Sequence, residues 1–353
     1  MPGHVFVVEG VLQMKESMLV IDVGSGTQDI LLYQPEKSIE NCPKFIVPSQ
    51  TQIVAARIRK ATAQSKGIFL HGHLMGGGAC AQALKKHLTE GLKAYATAQV
   101  ALTFNDNLAN VEGMGIVLCE EAPESVTPIW MGDIDVHSLR QAIEAFGLEF
   151  PPKLVVAVQD HGFSVSESNR TLRFRLWEEF VMQGGDLRKL IYTRDIPGMY
   201  TRMQAIREIV PEAILTDTGT CALLGIMADP MVKSHLNQGI LAVNIGNSHI
   251  LAAAIRGERV YGIFEQHTSM FDLQTLTKFI QRFQSAELTN AEVFEQGGHG
   301  AALHPGMLSG WEFIAVTGPR RDMAKPLCWY EAAPFGDMML TGCFGLLSGM
   351  RVI

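Results

Sequence analysis

The stretch VIDVGSGTQDILLY, residues 20–33, restricts the fold of this chain more than any other. Residues 18–23 are apolar apart from Asp22, the pattern of a buried strand, and Gly24, Ser25, Gly26 and Thr27 supply a tight turn. The arm that follows runs into Pro35 within a polar cluster, which leaves no room for a helix of ordinary length. It is therefore predicted to be a second strand. A dinucleotide fingerprint needs strand, glycine turn and helix, with the pyrophosphate on the helix N-terminus and a third glycine for close packing. Here Asp29 occupies the third glycine's place and the helix is missing, so a strand–turn–strand clamp remains.

The pattern returns in GILAVNIGNSHILAAAIRGERVYGIFEQHT, residues 239–268, which reads as three strands joined by two glycine turns. Asn244 and Gly246 stand there where Asp22 and Gly24 stood. A degenerate repeat at this separation is too long for a solenoid and suits two related lobes. Between the copies, KGIFLHGHLMGGGACAQALKKHLTEG predicts strand, glycine loop and amphipathic helix, and KLVVAVQDHG a buried strand ending at Asp160. LWEEFVMQGG predicts a helix closed by Gly184, and EAILTDTGTCALLGIMAD a short strand followed by a helix. Beyond the second copy come a helix over residues 271–283, a glycine loop (EQGGHGAALHPG), a strand (WEFIAVTGPRR) and a final helix of small residues (GDMMLTGCFGLLSGM).

A chain of 353 residues can bury two sizeable cores. Its net charge of −7 argues against general nucleic-acid or anionic-membrane binding, because no positive field draws phosphate backbones in. Anionic small molecules stay open, since a local site needs only backbone N–H groups and one metal. No apolar run reaches the ~20 residues that span a bilayer. The six cysteines (Cys42, Cys80, Cys119, Cys221, Cys328, Cys343) contain no C-x-x-C pair, which suits a reducing cytoplasm better than a disulfide framework. They also lack the close spacing of structural zinc or of a radical-type iron–sulfur cluster. Residues 1–17 carry neither the basic flank nor the cleavage site of a signal peptide and read as an unstructured leader, with Met14 and Met18 as alternative starts.

The order of elements resembles the actin, heat-shock chaperone and sugar-kinase ATPase superfamily, whose members set two ribonuclease-H-like domains around a nucleotide cleft. IDVGSGTQD resembles its first phosphate loop and AVNIGNSHI its second. LTDTGTCALLGIMAD and FGDMMLTGCFGLLSG resemble its two connecting helices, and IAVTGPRR its adenosine loop. HLMGGGACAQALKKHLTEGLKAYATAQVALTFNDNL is further similar to the uncharacterised prokaryotic family "domain of unknown function 1786", whose members carry a pyruvate formate-lyase activating label. The three-cysteine motif C-x-x-x-C-x-x-C that such radical chemistry uses does not occur here.

The resemblance implies an α/β fold: a first ribonuclease-H-like domain over residues 18–216 with an insertion at about 51–150, and a second over 217–340. Residues 341–353 then form a helix returning to the first domain. It implies ATP and Mg²⁺ as cofactors. Glycines at Gly24, Gly26 and Gly246 let backbone approach phosphates without a Cβ clash, and Ser25, Thr27 and Asn247 can hydrogen-bond their oxygens. Asp22 is the expected magnesium carboxylate and Asp217 the second, the metal keeping several waters. Gly318 would let adenine lie against backbone, with Arg320 or Arg321 stacking on the base or reaching a phosphate. Asp160 is the candidate general base, with a turn-initiating role beside Gly162 as the alternative.

Many members carry an Asp where this chain has Asn244, and an amide holds no charge and takes no proton. Nucleotide binding tolerates that change better than fast hydrolysis does. The MGGG loop before its helix offers an anion site suited to a substrate, although tight packing explains its glycines equally well. His71, His73, His161, His299 and His304 show no ligand spacing and are expected to be scattered loop and core residues. Phosphoryl transfer from ATP to water or a small-molecule acceptor is the expected activity. A nucleotide-gated switch read by a partner protein is the rival, and a degenerate lobe pair without nucleotide the third reading. A homodimer is compatible with either of the first two.

Overall fold

Alternating apolar residues in the opening stretch form two strands of one sheet. In the computed structural model, which describes residues 16–308 and 310–353, β1 (Met18–Val23) pairs antiparallel with β2 (Thr27–Tyr33). The proposed leader lies almost entirely outside the described residues. β3 (Lys44–Pro48) continues the meander on the far side of β2. On the other side of β1, β8 (Lys153–Val158) and β9 (Ile214–Thr216) run parallel to it, giving the order β3-β2-β1-β8-β9.

The chain between β3 and β8 builds a sheet of its own. It holds α1 (Gln50–Ala63), β4 (Ile68–Gly72), α2 (Gly78–Thr89), β5 (Ala94–Ala96), α3 (Ala98–Ala101), α4 (Leu108–Gly113), β6 (Ile116–Leu118), β7 (Thr127–Met131) and α5 (Val136–Ala145). Its four strands form a parallel sheet in the order β6-β5-β4-β7, with its own core around Val54, Ile58, Leu70 and Leu84, while α5 packs back on the first sheet through Leu139 and Ile143. After β8 come α6 (Asn169–Met182), α7 (Thr201–Ile209) and, behind β9, α8 (Thr218–Ala228) and the short α9 (Pro230–His235).

The second lobe repeats the first sheet's plan. β10 (Ile240–Ile245), β11 (His249–Arg256), β12 (Arg259–His267) and β13 (Gly300–Leu303) form an antiparallel meander. β14 (Phe313–Thr317) and β15 (Tyr330–Glu331) add in parallel beyond β10, giving β13-β12-β11-β10-β14-β15. In both sheets a meander meets two parallel strands at its first strand, the order that defines a ribonuclease-H-like sheet. α10 (Leu273–Gln284) starts two residues later than its apolar pattern predicts, because the Asp272 side chain accepts from Thr275 N–H at 2.8 Å and caps it there. α11 (Asn290–Glu295) precedes β13, and α12 (Thr341–Gly349) closes the chain.

Period-two burial sends Leu19, Ile21 and Val23 of β1 to the side of α7, and Met18 and Val20 to the side of α12. α8 and α12 are apolar nearly all round because they are enclosed by the lobes. They cross backbone against backbone. A Cβ on Gly225 would lie 2.0 Å from the Thr341 carbonyl oxygen, and one on Gly345 1.9 Å from that of Cys221. Such closeness excludes any side chain at either position, and it brings the N-termini of both helices under the two hairpins.

Candidate functional site

The two hairpin turns share one geometry. Gly24 N–H donates to the Thr27 carbonyl at 2.9 Å, and Gly246 N–H donates to that of His249 at 2.9 Å. A Cβ on either glycine would lie 3.0 Å from the same carbonyl oxygen. The tips touch across the lobes: Ser248 Oγ donates to Ser25 Oγ at 2.7 Å, and a Cβ on Gly26 would come within 2.6 Å of Asn247 Nδ2. Among the described residues, the backbone N–H groups of Ser25, Gly26, Asn247 and Ser248 donate to no group of the chain. Such amides, paired by turn geometry, suit an anion.

Beside the touching tips opens a cleft of about 810 Å³. Asp22, Gly24, Ser25 and Thr27 line it from the first lobe, and Asn244, Gly246, Asn247 and Gly318 from the second. Gly318 holds φ at +100°, and a Cβ there would lie 2.4 Å from the Ile245 carbonyl oxygen. No other residue fits this wall. Asp22 Oδ1 accepts from Thr218 Oγ1 at 2.7 Å, and burial raises its carboxyl to about 6. Opposite it in the β1–β2 register stands Asp29, raised to about 7 by burial and then by the Asp22 charge. Asp29 Oδ1 is buried without a hydrogen-bond partner. Two adjacent carboxylates, one with an unmet oxygen, form a hard oxygen donor set that fits Mg²⁺. Sequence patterning overlooked Asp29, because only the strand register sets it against Asp22.

Five expected site residues lie elsewhere. Asp217 is turned away from the cleft and accepts from Arg173 through both oxygens, at 3.1 and 3.2 Å, and from Gly219 N–H at 2.9 Å. Asp160 accepts backbone N–H bonds from Gly162, Arg202 and Met203 at 2.9–3.0 Å, so its carboxylate organises the start of α7 and is not free as a base. Its turn-initiating alternative is the one the geometry matches. Arg320 is exposed and bonds through its backbone, its N–H donating to the Ile245 carbonyl and its own carbonyl accepting from Met323, while Arg321 pairs with Glu331 at 3.0 Å. Gly26 serves the tip contact and does not line the cleft.

The histidines contradict the expectation of scatter. His161, from the loop after β8, meets His249, Glu265 and His299 of the second lobe, with one ligand-type atom of each within 4.8 Å of the others. His161 stacks on His299 at 4.8 Å between ring centroids, and His249 meets His299 edge-on at 4.8 Å. Behind them Glu265 accepts from Arg173 Nε at 2.5 Å and from Gln159 Nε2 at 2.9 Å. Burial alone would raise Glu265, but the Arg173 charge holds it far below the usual carboxylate range. Burial likewise keeps the imidazoles neutral, lowering His299 to about 3 and His161 well below its ordinary value. No spacing in the chain announces this cluster, because its members come from four separate segments.

A second cavity of about 1070 Å³ adjoins the tips and is walled by Gly76, Gly77 and Gly78 of the glycine loop, with Asp133, His161 and His249. Packing accounts for part of the loop: a Cβ on Gly76 would lie 2.7 Å from the Arg202 guanidinium, and Gly76 N–H donates to Asp133 at 3.1 Å. His71, His73 and His304 stay outside the cluster; His73 reaches Glu208 at 3.1 Å.

Two ribonuclease-H-like sheets, each offering a glycine hairpin to one cleft and joined by crossed helices, define an actin-like ATPase fold. The chain belongs to the family described as "Putative pyruvate format-lyase activating enzyme (DUF1786)", whose profile matches residues 75–323. No curated protein matches it. Among solved structures it is similar to a Bacteroides thetaiotaomicron protein of actin-like ATPase fold and unknown function, at 9% identity over 98% of this chain and 99% of that one, TM-score 0.39. It is also similar to the ethanolamine utilization protein EutJ from Carboxydothermus hydrogenoformans, at 9% identity over 94% and 88%, TM-score 0.33. Among the described residues, no helix is long and apolar enough to cross a membrane.

Proposed function

We propose that this protein binds Mg–ATP or a related nucleoside triphosphate between its hairpins and transfers the terminal phosphoryl group to water or a small acceptor. The observation that carries this reading is the pair of tips with free backbone N–H groups bordering one cleft that also holds Asp22 and Asp29. Asp22 and Asp29 would hold the magnesium, whose charge offsets that of the phosphates. Gly318 would admit the adenosine end, and the cavity beside the glycine loop has room for an acceptor. Asn244, in place of a second-lobe carboxylate, would orient a water and not deprotonate it.

The tip-to-tip bond from Ser248 to Ser25 favours one further reading, a nucleotide-gated switch in which ligand binding parts the tips and a partner protein reads the change. Thermal denaturation tests both readings. ATP with Mg²⁺ is expected to raise the melting temperature of the wild type and not that of Asp22→Ala. The absence of a wild-type shift with ATP, ADP and GTP would overturn both. Where binding is found, phosphate release that Asp22→Asn abolishes supports transfer, whereas release equal in both proteins leaves the switch.

A further inference from the structure

The histidine cluster borders the nucleotide cleft through His249 and Glu265 and poses its own physical problem, which stands whether or not a nucleotide binds there. His161 Nε2, His249 Nε2 and His299 Nδ1 are all buried without a hydrogen-bond partner. A buried polar atom left unpaired costs on the order of 1–3 kcal/mol. Three such atoms belong to this one cluster, beside a carboxylate, and among the described residues no hydrogen bond joins one imidazole to another. His299 is only 3% exposed. An apolar core would not collect these groups, and a network built for its own hydrogen bonds would use the nitrogens.

We infer that His161, His249, His299 and Glu265 form a binding site for one divalent first-row transition metal. Imidazole nitrogen with a single carboxylate suits zinc, iron, cobalt or nickel, whereas magnesium and calcium take all-oxygen sets. Charge balance favours a cation as well. Arg173 is shared by Asp217 and Glu265, so this buried ion group carries one excess negative charge before any metal enters. Glu265 already accepts from Arg173 and Gln159, which fixes its orientation while each oxygen keeps a further lone pair.

The ligand atoms span up to 4.8 Å. A tetrahedral zinc site needs separations of ~3.3 Å between nitrogens, so loading draws the rings inward by side-chain rotation. Gln159 Nε2 now donates to His249 Nδ1 at 3.1 Å. Ligation through Nε2 places the His249 proton on Nδ1, so the Gln159 amide turns to accept it and frees Glu265 Oε1 for the metal, while Arg173 still holds the other oxygen. His161 comes from the first lobe and the other three ligands from the second, so the metal ties the lobes together behind the hairpin tips. His161 and His249 also wall the glycine-loop cavity, so any fifth ligand to the metal would come from that side.

The test uses the full chain, stripped with a chelator and dialysed separately against Zn²⁺, Co²⁺, Fe²⁺ and Ni²⁺ without nucleotide. About one equivalent of at least one metal is expected to remain, with His161→Ala and His299→Ala each weakening it at least tenfold. Co²⁺ is expected to give visible d–d bands, which either variant removes. His304→Ala, a histidine outside the cluster, keeps the full equivalent. Circular dichroism checks each variant's fold, and His299→Gln, closer in shape, replaces an alanine variant that fails to fold. The inference is overturned if the wild type retains none of the four metals, or if folded His161 and His299 variants bind as tightly as the wild type. Asp22→Ala is expected to load metal normally, so a failed nucleotide reading leaves this result standing.

Discussion

Set one on the other, the two hairpins match in backbone and differ in chemistry. Gly24 corresponds to Gly246, each N–H donating to the third carbonyl on at 2.9 Å. At the end of the first strand stand Asp22 and Asn244, and across the pair stand Asp29 and Leu251. Where β2 begins with Thr27, β11 begins with His249. The first hairpin thus opposes two carboxylates, which burial raises to about 6 and about 7, the Asp22 charge adding to the rise of Asp29, and a cation relieves both. The second carries no acid of its own and instead passes, through His249, into the imidazole cluster. One turn geometry has been put to two uses, an acidic one and a nitrogen-rich one.

The strongest way to break this contrast is through Arg173, which ties Asp217 at the N-terminus of α8 to Glu265 of β12. Arg173→Met leaves two buried carboxylates without their partner and is expected to lower stability by about 3–5 kcal/mol in urea denaturation. Wild-type stability in that variant would mean the ion group is dispensable. Next comes nucleotide affinity: Asp22→Ala is expected to weaken Mg–ATP by about a hundredfold and Asn244→Ala by about tenfold, read by calorimetry. Equal losses would erase the distinction between the acidic and the amide hairpin.

A smaller effect concerns pH. Asp29 ionises near 7 when folded against 3.8 as an isolated side chain, so the folded state holds its proton longer. Its burial is therefore harmless below pH 4, grows unfavourable as pH rises toward 7, and stays so above. In chelator-treated protein, Asp29→Asn is expected to gain roughly 1–3 kcal/mol at pH 8 and nothing at pH 4. A gain independent of pH would assign the effect to packing instead. The smallest change expected is that of Ser25→Ala, which removes a single hydroxyl contact between the tips. It should cost about 0.5–1.5 kcal/mol of tip closure and speed exchange of the hydrogen-bonded Gly24 and Gly246 amides several-fold. Unchanged exchange would show that the tips are held by other contacts.

Much of this fold was legible because its signals are local. Glycine turns between period-two strands identify a hairpin within some fourteen residues, and Pro35 rules out the competing helix. The echo at Asn244 and Gly246 pointed to the second hairpin in the same way. Site chemistry was legible only where it sits on those turns. Asp217 and Asp160 look alike in sequence to any strand-end carboxylate, yet one is taken by Arg173 from α6 and the other by the amides of α7. Asp29 was read only as a missing glycine, because cross-strand register makes it a partner of Asp22.

The amino-acid sequence alone therefore determined the two strand–turn–strand units, the glycines that their turns require, and the small-residue helices that cross beneath them. These follow from backbone sterics and hydrophobic periodicity, which act over a few neighbours. Tertiary structure decided which charged groups are free and which are consumed, and it gathered His161, His249, Glu265 and His299 from segments far apart in the chain. Electrostatics and metal-type geometry depend on distances of a few ångströms in space, and only the folded lobes set those distances.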